Sequence, residues 1–232
     1  MNSVSLRTAG AVCAIVTVVG FVVGIALMAS SGVQVLIPET GQEGLDWLAD
    51  ADDAGGLFVA GAAIVVFAGL VGLVAFLGFY DALRGAGQLL VVAPVAGAAG
   101  MVLVTISHAT PIALAVQFAP DFAEADAATK VSLATEFDTW AQFCLLMNYF
   151  GDVLVWGVTV PIFAFAILTT RVVPRWIGWV GLVSAVFAGW LGIFAPISDL
   201  IEGITTIGFF AFFIFLLAFG VALLRRHAPA TA

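Results

Sequence analysis

The chain has 232 residues, of which 63% are hydrophobic and only 9% charged, with a net charge of −8. A soluble domain carries roughly 25% charged residues, so this composition excludes a water-soluble fold and makes lipid the solvent for most of the chain. The acidic balance argues against a nucleic-acid partner, which needs a basic surface.

A membrane-spanning helix needs about 20 apolar residues, and runs of that length occur at roughly 9–29, 57–80, 89–117, 139–170, 176–196 and 203–224. Barrel strands would be about 10 residues long and would alternate apolar with polar side chains. The stretch FFAFFIFLLAFGVALL, starting at Phe209, does not alternate. The expected fold is therefore all-α: a polytopic membrane bundle of six transmembrane helices in a single membrane domain, residues 1–232.

The first run follows Arg7 and resembles a signal peptide, but it exceeds the roughly 7–15 apolar residues of a signal and is read as a retained span. It holds Gly20 and Gly24 at helix-packing spacing, read as an internal seam. The loop 30–56 contains GQEGLDWLADADD, a possible short helix with Leu45 and Leu48 on one face. Trp47 is expected at the headgroup level, so this segment is placed on the outer interface. The third and fourth runs are each about ten residues longer than a span requires. Pro94, Pro111 and Pro161 are expected to kink them or to free carbonyls. Gly181, Ala185 and Gly189 form a second small-residue ridge in the fifth run. In the sixth, phenylalanines are distributed all round, which predicts a lipid-facing side. Cys13 and Cys144 fall at opposite levels, beyond disulfide reach, and read as packing residues.

Basic residues in short loops set orientation. With the N-terminus and the C-terminus cytoplasmic, the inner segments hold Arg7, Arg84, Arg171, Arg175, Arg225 and Arg226, and the outer loops hold only Lys130. Most carboxylates then lie outside, where such charge is usually a solvated face.

The stretch NYFGDVLVW places Asp152 inside the fourth span, with no other charge between Asp138 and Arg171. At a rise of about 1.5 Å per residue, Asp152 lies about 28 Å above the inner surface and His108 about 30 Å. This predicts a His108–Asp152 pair toward the outer side. Asn148 is one turn from Asp152, Thr105 one turn from His108, and Thr205 and Thr206 begin the sixth span at the same level. Together they outline an outward polar pocket. An acid in a span is a functional hypothesis by default. Its readings are a structural lock between two helices, a ligand or ion site, or chemistry.

Enzyme motifs are mostly rejected, and no catalytic or metal-ligating residue and no cofactor is assigned. Tyr80-Asp81 and Asp152 imitate an intramembrane aspartyl protease, but two acids sharing a proton must nearly touch, and these are expected about 25 Å apart. Asp81 is read as pairing with Arg84. Ser184 lacks the glycine setting of a rhomboid nucleophile, and Ser107 is expected to point away from His108. One histidine in the spans is too few for a ceramidase-type zinc site or for two-histidine haem ligation. There is no phosphate-binding glycine loop. No repeat relates the first three spans to the last three, and few polar residues lie below Asp152, which disfavours a pore within one chain.

Arg171, Pro174, Arg175 and Trp176, followed by Gly178, Trp179 and Gly181, resemble a signature of the bacterial domain-of-unknown-function 4386 family of six-helix integral membrane proteins. Helix count, chain length and the long first outer loop are similar too. The resemblance implies a multi-pass protein of the bacterial plasma membrane and brings no catalytic residues. Arg171, Arg175 and Trp176 read as topological anchors, or as contacts to anionic lipid or a cytoplasmic partner. The leading expectation is a non-enzymatic accessory subunit or a binder of a lipid or small ligand. The alternatives are a transporter or channel component, and an intramembrane enzyme using His108 and Asp152. Expected partners are membrane lipids, with another membrane protein or a second copy as further possibilities.

Overall fold

Within lipid, every backbone N–H and C=O must find its partner inside the protein. The computed structural model describes residues 5–33, 38–54, 56–197 and 199–227. It meets this demand with helices alone; among the described residues there is no strand. Six helices are long and apolar enough to cross a membrane: Leu6–Ser30, Gly56–Ala86, Gln88–Glu124, Ala127–Thr170, Arg175–Phe194 and Gly203–Arg226. The third and fourth, at 37 and 44 residues, are about 55 and 66 Å long, against a hydrocarbon core about 30 Å thick.

In element terms, α1 is Leu6–Ser30, α2 Gln42–Ala54, α3 Gly56–Leu83, α4 Val92–Ala113, α5 Ala119–Glu124, α6 Ala127–Asp152, α7 Val160–Thr170, α8 Arg175–Ser184 and α9 Asp199–His227. Wide, π-type turns at Leu114–Phe118, Val153–Thr159 and Ala185–Trp190 join α4 to α5, follow α6 and follow α8. The chain divides into two compact units. Unit 1 contains residues 1–18, 70–102 and 150–232; unit 2 contains 19–69 and 103–149.

Unit 1 is held by aromatic packing. The Phe79 ring lies 4.0 Å from Phe219 and 5.9 Å from Phe163, centroid to centroid. Phe215 and Phe219 are fully buried, while Phe210 is 61% exposed. Ile207, Phe210, Ile214 and Leu217 form the exposed stripe of α9, so the all-round phenylalanine pattern divides into a packed face and an outward one. Arg7 clamps α1 to the end of α3: its Nε donates to Asp81 Oδ2 at 2.8 Å and its Nη2 to the Asp81 carbonyl. Arg84 stands 3.5 Å from the same carboxylate. The expected Arg84 partnership is thus the longer of two, because the sequence separation of Arg7 hides its proximity.

The prolines act unequally. Pro94 falls in the first turn of α4, where its missing N–H costs nothing, so the expected break does not form there. Pro111 lies inside α4 and Pro161 opens α7. Pro161 cannot donate to the carbonyl four residues back, that of Gly157. Trp190 Nε1 donates to that carbonyl at 3.0 Å. The two wide turns meet at bare backbone: a Cβ on Gly189 would come 2.6 Å from Gly157 N. The ridge in α8 and its wide turn is therefore an internal seam. Arg171 ends α7 in the left-handed region at φ 55°, with its N–H on Ile167 O, a position usually given to glycine.

Unit 2 has its own seam, where a Cβ on Gly24 would sit 2.7 Å from Gly61 O. The expected helix in the first loop is present as α2, but its placement differs. Trp47 is 4% exposed and packs edge-on to Phe58 at 5.6 Å and against Phe137 at 6.1 Å. It serves the core of the unit rather than a headgroup layer, because Gly44 lets α2 approach Phe137 closely. Gly41 N–H on Asp138 Oδ1 at 2.8 Å pins the start of α2 to α6. Asp126 caps α6, accepting from Thr129 N–H at 2.8 Å. That backbone bond, with a side-chain bond from Thr129, holds the Asp126 carboxyl below its ordinary range.

These seams separate glycines that must be glycine from those that need not be. A Cβ on Gly78 would lie 2.5 Å from Gly10 Cα, whereas one on Gly203 meets nothing within 4 Å. Gly78→Ala should destabilise the detergent-solubilised protein by about 1–3 kcal/mol through overpacking. Gly203→Ala should leave it unchanged or more stable by up to about 1 kcal/mol. Thermal melts of the two variants beside wild type check the contrast.

Candidate functional site

In unit 2 the α4 and α6 helices run antiparallel, with Phe118 stacked near Phe137 at 6.0 Å, the Thr110 side chain at Cys144 and Ser107 across from Asn148. These pairs keep one register. It sets His108 opposite the turn that carries Asn148.

His108 is 8% exposed and Ser107 fully buried. His108 Nδ1 lies 2.7 Å from the Val104 carbonyl and 2.8 Å from Ser107 Oγ. A carbonyl can only accept, so Nδ1 carries the proton and Nε2 is left with its lone pair. The Ser107 hydroxyl donates to the Val104 carbonyl at 2.7 Å, and its oxygen stands 3.4 Å from Asn148 Oδ1. Ser107 thus lies between His108 and Asn148. Adjacent residues on a helix ordinarily diverge, yet here both side chains fold back onto the same carbonyl. A serine beside a buried histidine, three residues after an ordinary apolar position, was the signal available.

Thr105 lies three residues before His108, on the neighbouring part of the same face. Its Oγ1 is buried and has no hydrogen-bond partner among the described residues. A buried hydroxyl without a partner costs about 1–3 kcal/mol.

The remaining expected site residues lie in unit 1. Asp152 is half-buried at the last position of α6, next to the wide turn. One turn on, Trp156 packs against Phe209 at 5.4 Å and Phe212 at 5.8 Å, and its indole N–H is buried without a partner among the described residues. Thr205 stands one turn before Phe209 on α9, half-buried, and Thr206 is exposed. His108, Asn148 and Thr105 belong to unit 2, and Asp152, Thr205 and Thr206 to unit 1. Among the described residues the ring bonds of His108 are those of Nδ1 to Val104 O and Ser107 Oγ.

Arg171 and Arg175 flank the turn between α7 and α8, and Arg226 Nη2 reaches the Arg171 carbonyl at 3.5 Å. Trp176 is 52% exposed. Among the described residues no group of three or more His, Cys, Asp or Glu side chains is placed to hold a metal ion.

Compared with protein-family models, curated proteins and solved structures, the chain matches none.

The tautomer is directly measurable. Nitrogen-15 spectra of histidine-labelled protein near neutral pH should show His108 with Nδ1 protonated and Nε2 bare, distinguished from His227 by a His227→Gln control. A signal from Nε2–H for His108 would contradict the bonding described above.

Proposed function

We propose that this chain is a multi-pass protein of a bacterial plasma membrane, with both termini cytoplasmic, that binds a lipid or small ligand without catalysing a reaction. The observation that carries the reading is the buried Thr105 hydroxyl, without a partner among the described residues, three residues before a buried His108 whose Nδ1 proton is committed to a carbonyl. An acceptor and a hydroxyl on one helix face suit a ligand that brings a hydrogen-bond donor and an acceptor of its own. Likeness to the domain-of-unknown-function 4386 family supports the bacterial membrane setting, and the arginine distribution supports the orientation.

The bonding also weighs against chemistry. A serine nucleophile needs a base nitrogen that accepts its proton. Ser107 lies against Nδ1, which already carries a proton, so the pair is not an activated nucleophile. An accessory subunit would not use Gly20 and Gly24, which already pack against Ala68 and Gly61; the face open to such a partner is the exposed stripe of Ile207, Phe210, Ile214 and Leu217. Arg171, Arg175 and the exposed Trp176 fit the role of anchors at the cytoplasmic interface.

Native mass spectrometry of protein extracted from its membrane should show a co-purifying ligand on wild type that is reduced at least tenfold in His108→Gln and Thr105→Val. The same adduct at equal occupancy on all three, or no adduct on wild type, sinks the assignment to this site. Orientation has an independent check: a single cysteine at Glu43, in a background lacking Cys13 and Cys144, should react with an impermeant maleimide added to intact cells. One at Arg225 should react only after permeabilisation.

A further inference from the structure

A second hollow lies within unit 2, away from His108. It is a cleft of about 220 Å³ formed by α2, α5 and the first turn of α6. Leu48 and Ala119, each 1% exposed, give it an apolar floor. Phe122 and Lys130 line one side, and Asp52 and Asp53 the other.

Lys130 is the chain's single lysine, and it sits in the unit that carries eleven of the fifteen carboxylates. Among the described residues it forms no ion pair. Its ammonium instead lies 5.4 Å above the Phe122 ring. The charges on both sides are set against their helices. Lys130 is in the first turn of α6, where the helix end favours anions, and Asp52 and Asp53 are in the last turn of α2, where it favours cations. Neither helix gains from these residues, and they do not close on each other. Opposite charges held apart across an apolar floor are what a small molecule with both charges and an apolar body requires.

We propose that this cleft binds a small zwitterion, its ammonium directed to Asp52 and Asp53 and its carboxylate or phosphate to Lys130. The volume corresponds to about seven waters at roughly 30 Å³ each, which is amino-acid size and below the range of drug-sized sites. Two sources share this chemistry: a free α-amino acid with an apolar side chain, and an ethanolamine-phosphate headgroup.

The test is calorimetric titration of the full chain in phosphatidylglycerol nanodiscs. The probes are L-leucine, its decarboxylated amine isopentylamine, its deaminated acid 4-methylpentanoate, and O-phosphoethanolamine. L-Leucine should bind at least tenfold more tightly than either single-charge analogue, and leucine above phosphoethanolamine would identify the free amino acid as the source; the reverse order would identify the headgroup. Lys130→Gln should bring the preferred zwitterion down to the affinity of its amine, and Asp52→Asn with Asp53→Asn should remove binding. His108→Gln should leave it unchanged, which keeps this test separate from the site proposed above. All the substituted cleft positions are exposed or half-exposed, so matching melts confirm folding. The proposal is overturned if neither zwitterion binds wild type, if isopentylamine binds as tightly as both, or if Lys130→Gln leaves the affinity of the zwitterion unchanged.

Discussion

Lipid offers a peptide group nothing to bond with, and most of this structure follows from that one restriction. Helices satisfy it locally, so each irregularity in a helix must be answered by a group from elsewhere. The Gly157 carbonyl shows the rule at work: Pro161 cannot reach it, and the Trp190 indole takes the vacant place at 3.0 Å. Thr159 follows the same logic, its one hydroxyl proton shared between Leu154 O within its own wide turn and Ala93 O on α4, each at 3.0 Å. The orphaned atoms are informative against this background. Where most buried polar groups are answered, Thr105 Oγ1, Trp156 Nε1 and Ser184 Oγ have no partner among the described residues.

Without a hydrophobic drive between helices in lipid, close approach of backbones takes its place. Gly10 against Gly78 and Gly157 against Gly189 do this in unit 1, and Gly24 against Gly61 does it in unit 2. Unit 2 adds something a bundle in lipid does not need: a tryptophan-centred core that fastens α2 to the α6 helix. This core joins Trp47 to Phe58 on α3 and to Phe137 on α6. Both the polar cluster and the cleft lie in this unit, while the aromatic core around Phe79 belongs to unit 1.

Much of this was legible in the sequence. Span number, the excess length of two helices, the short helix in the first loop and the inward use of the glycine ridges all follow from run length and residue spacing. What spacing cannot give is azimuth. Trp47 is compatible with a headgroup position or a core position, and only the contact of Gly44 with Phe137 decides it. Depth estimates placed His108 and Asp152 at one height from opposite ends of two helices. Within unit 2, the register puts Asn148 beside the His108 turn. Ser107 was lost for a different reason: helical projection treats a side chain as a spoke, whereas serine folds back to its own backbone.

The wide turn after Asp152 has a bearing on how such a helix is inherited. A helix that absorbs one surplus residue takes up this form and keeps its bonds on either side. Excising a single residue from 153–159 would restore ordinary winding and turn everything before it by about 100° relative to α7. Pro161 would keep its place and the helix its continuity, yet Asp152 would look onto different neighbours. The phase of the carboxylate is therefore encoded by a one-residue difference in length, a change that substitution at Asp152 itself could never imitate.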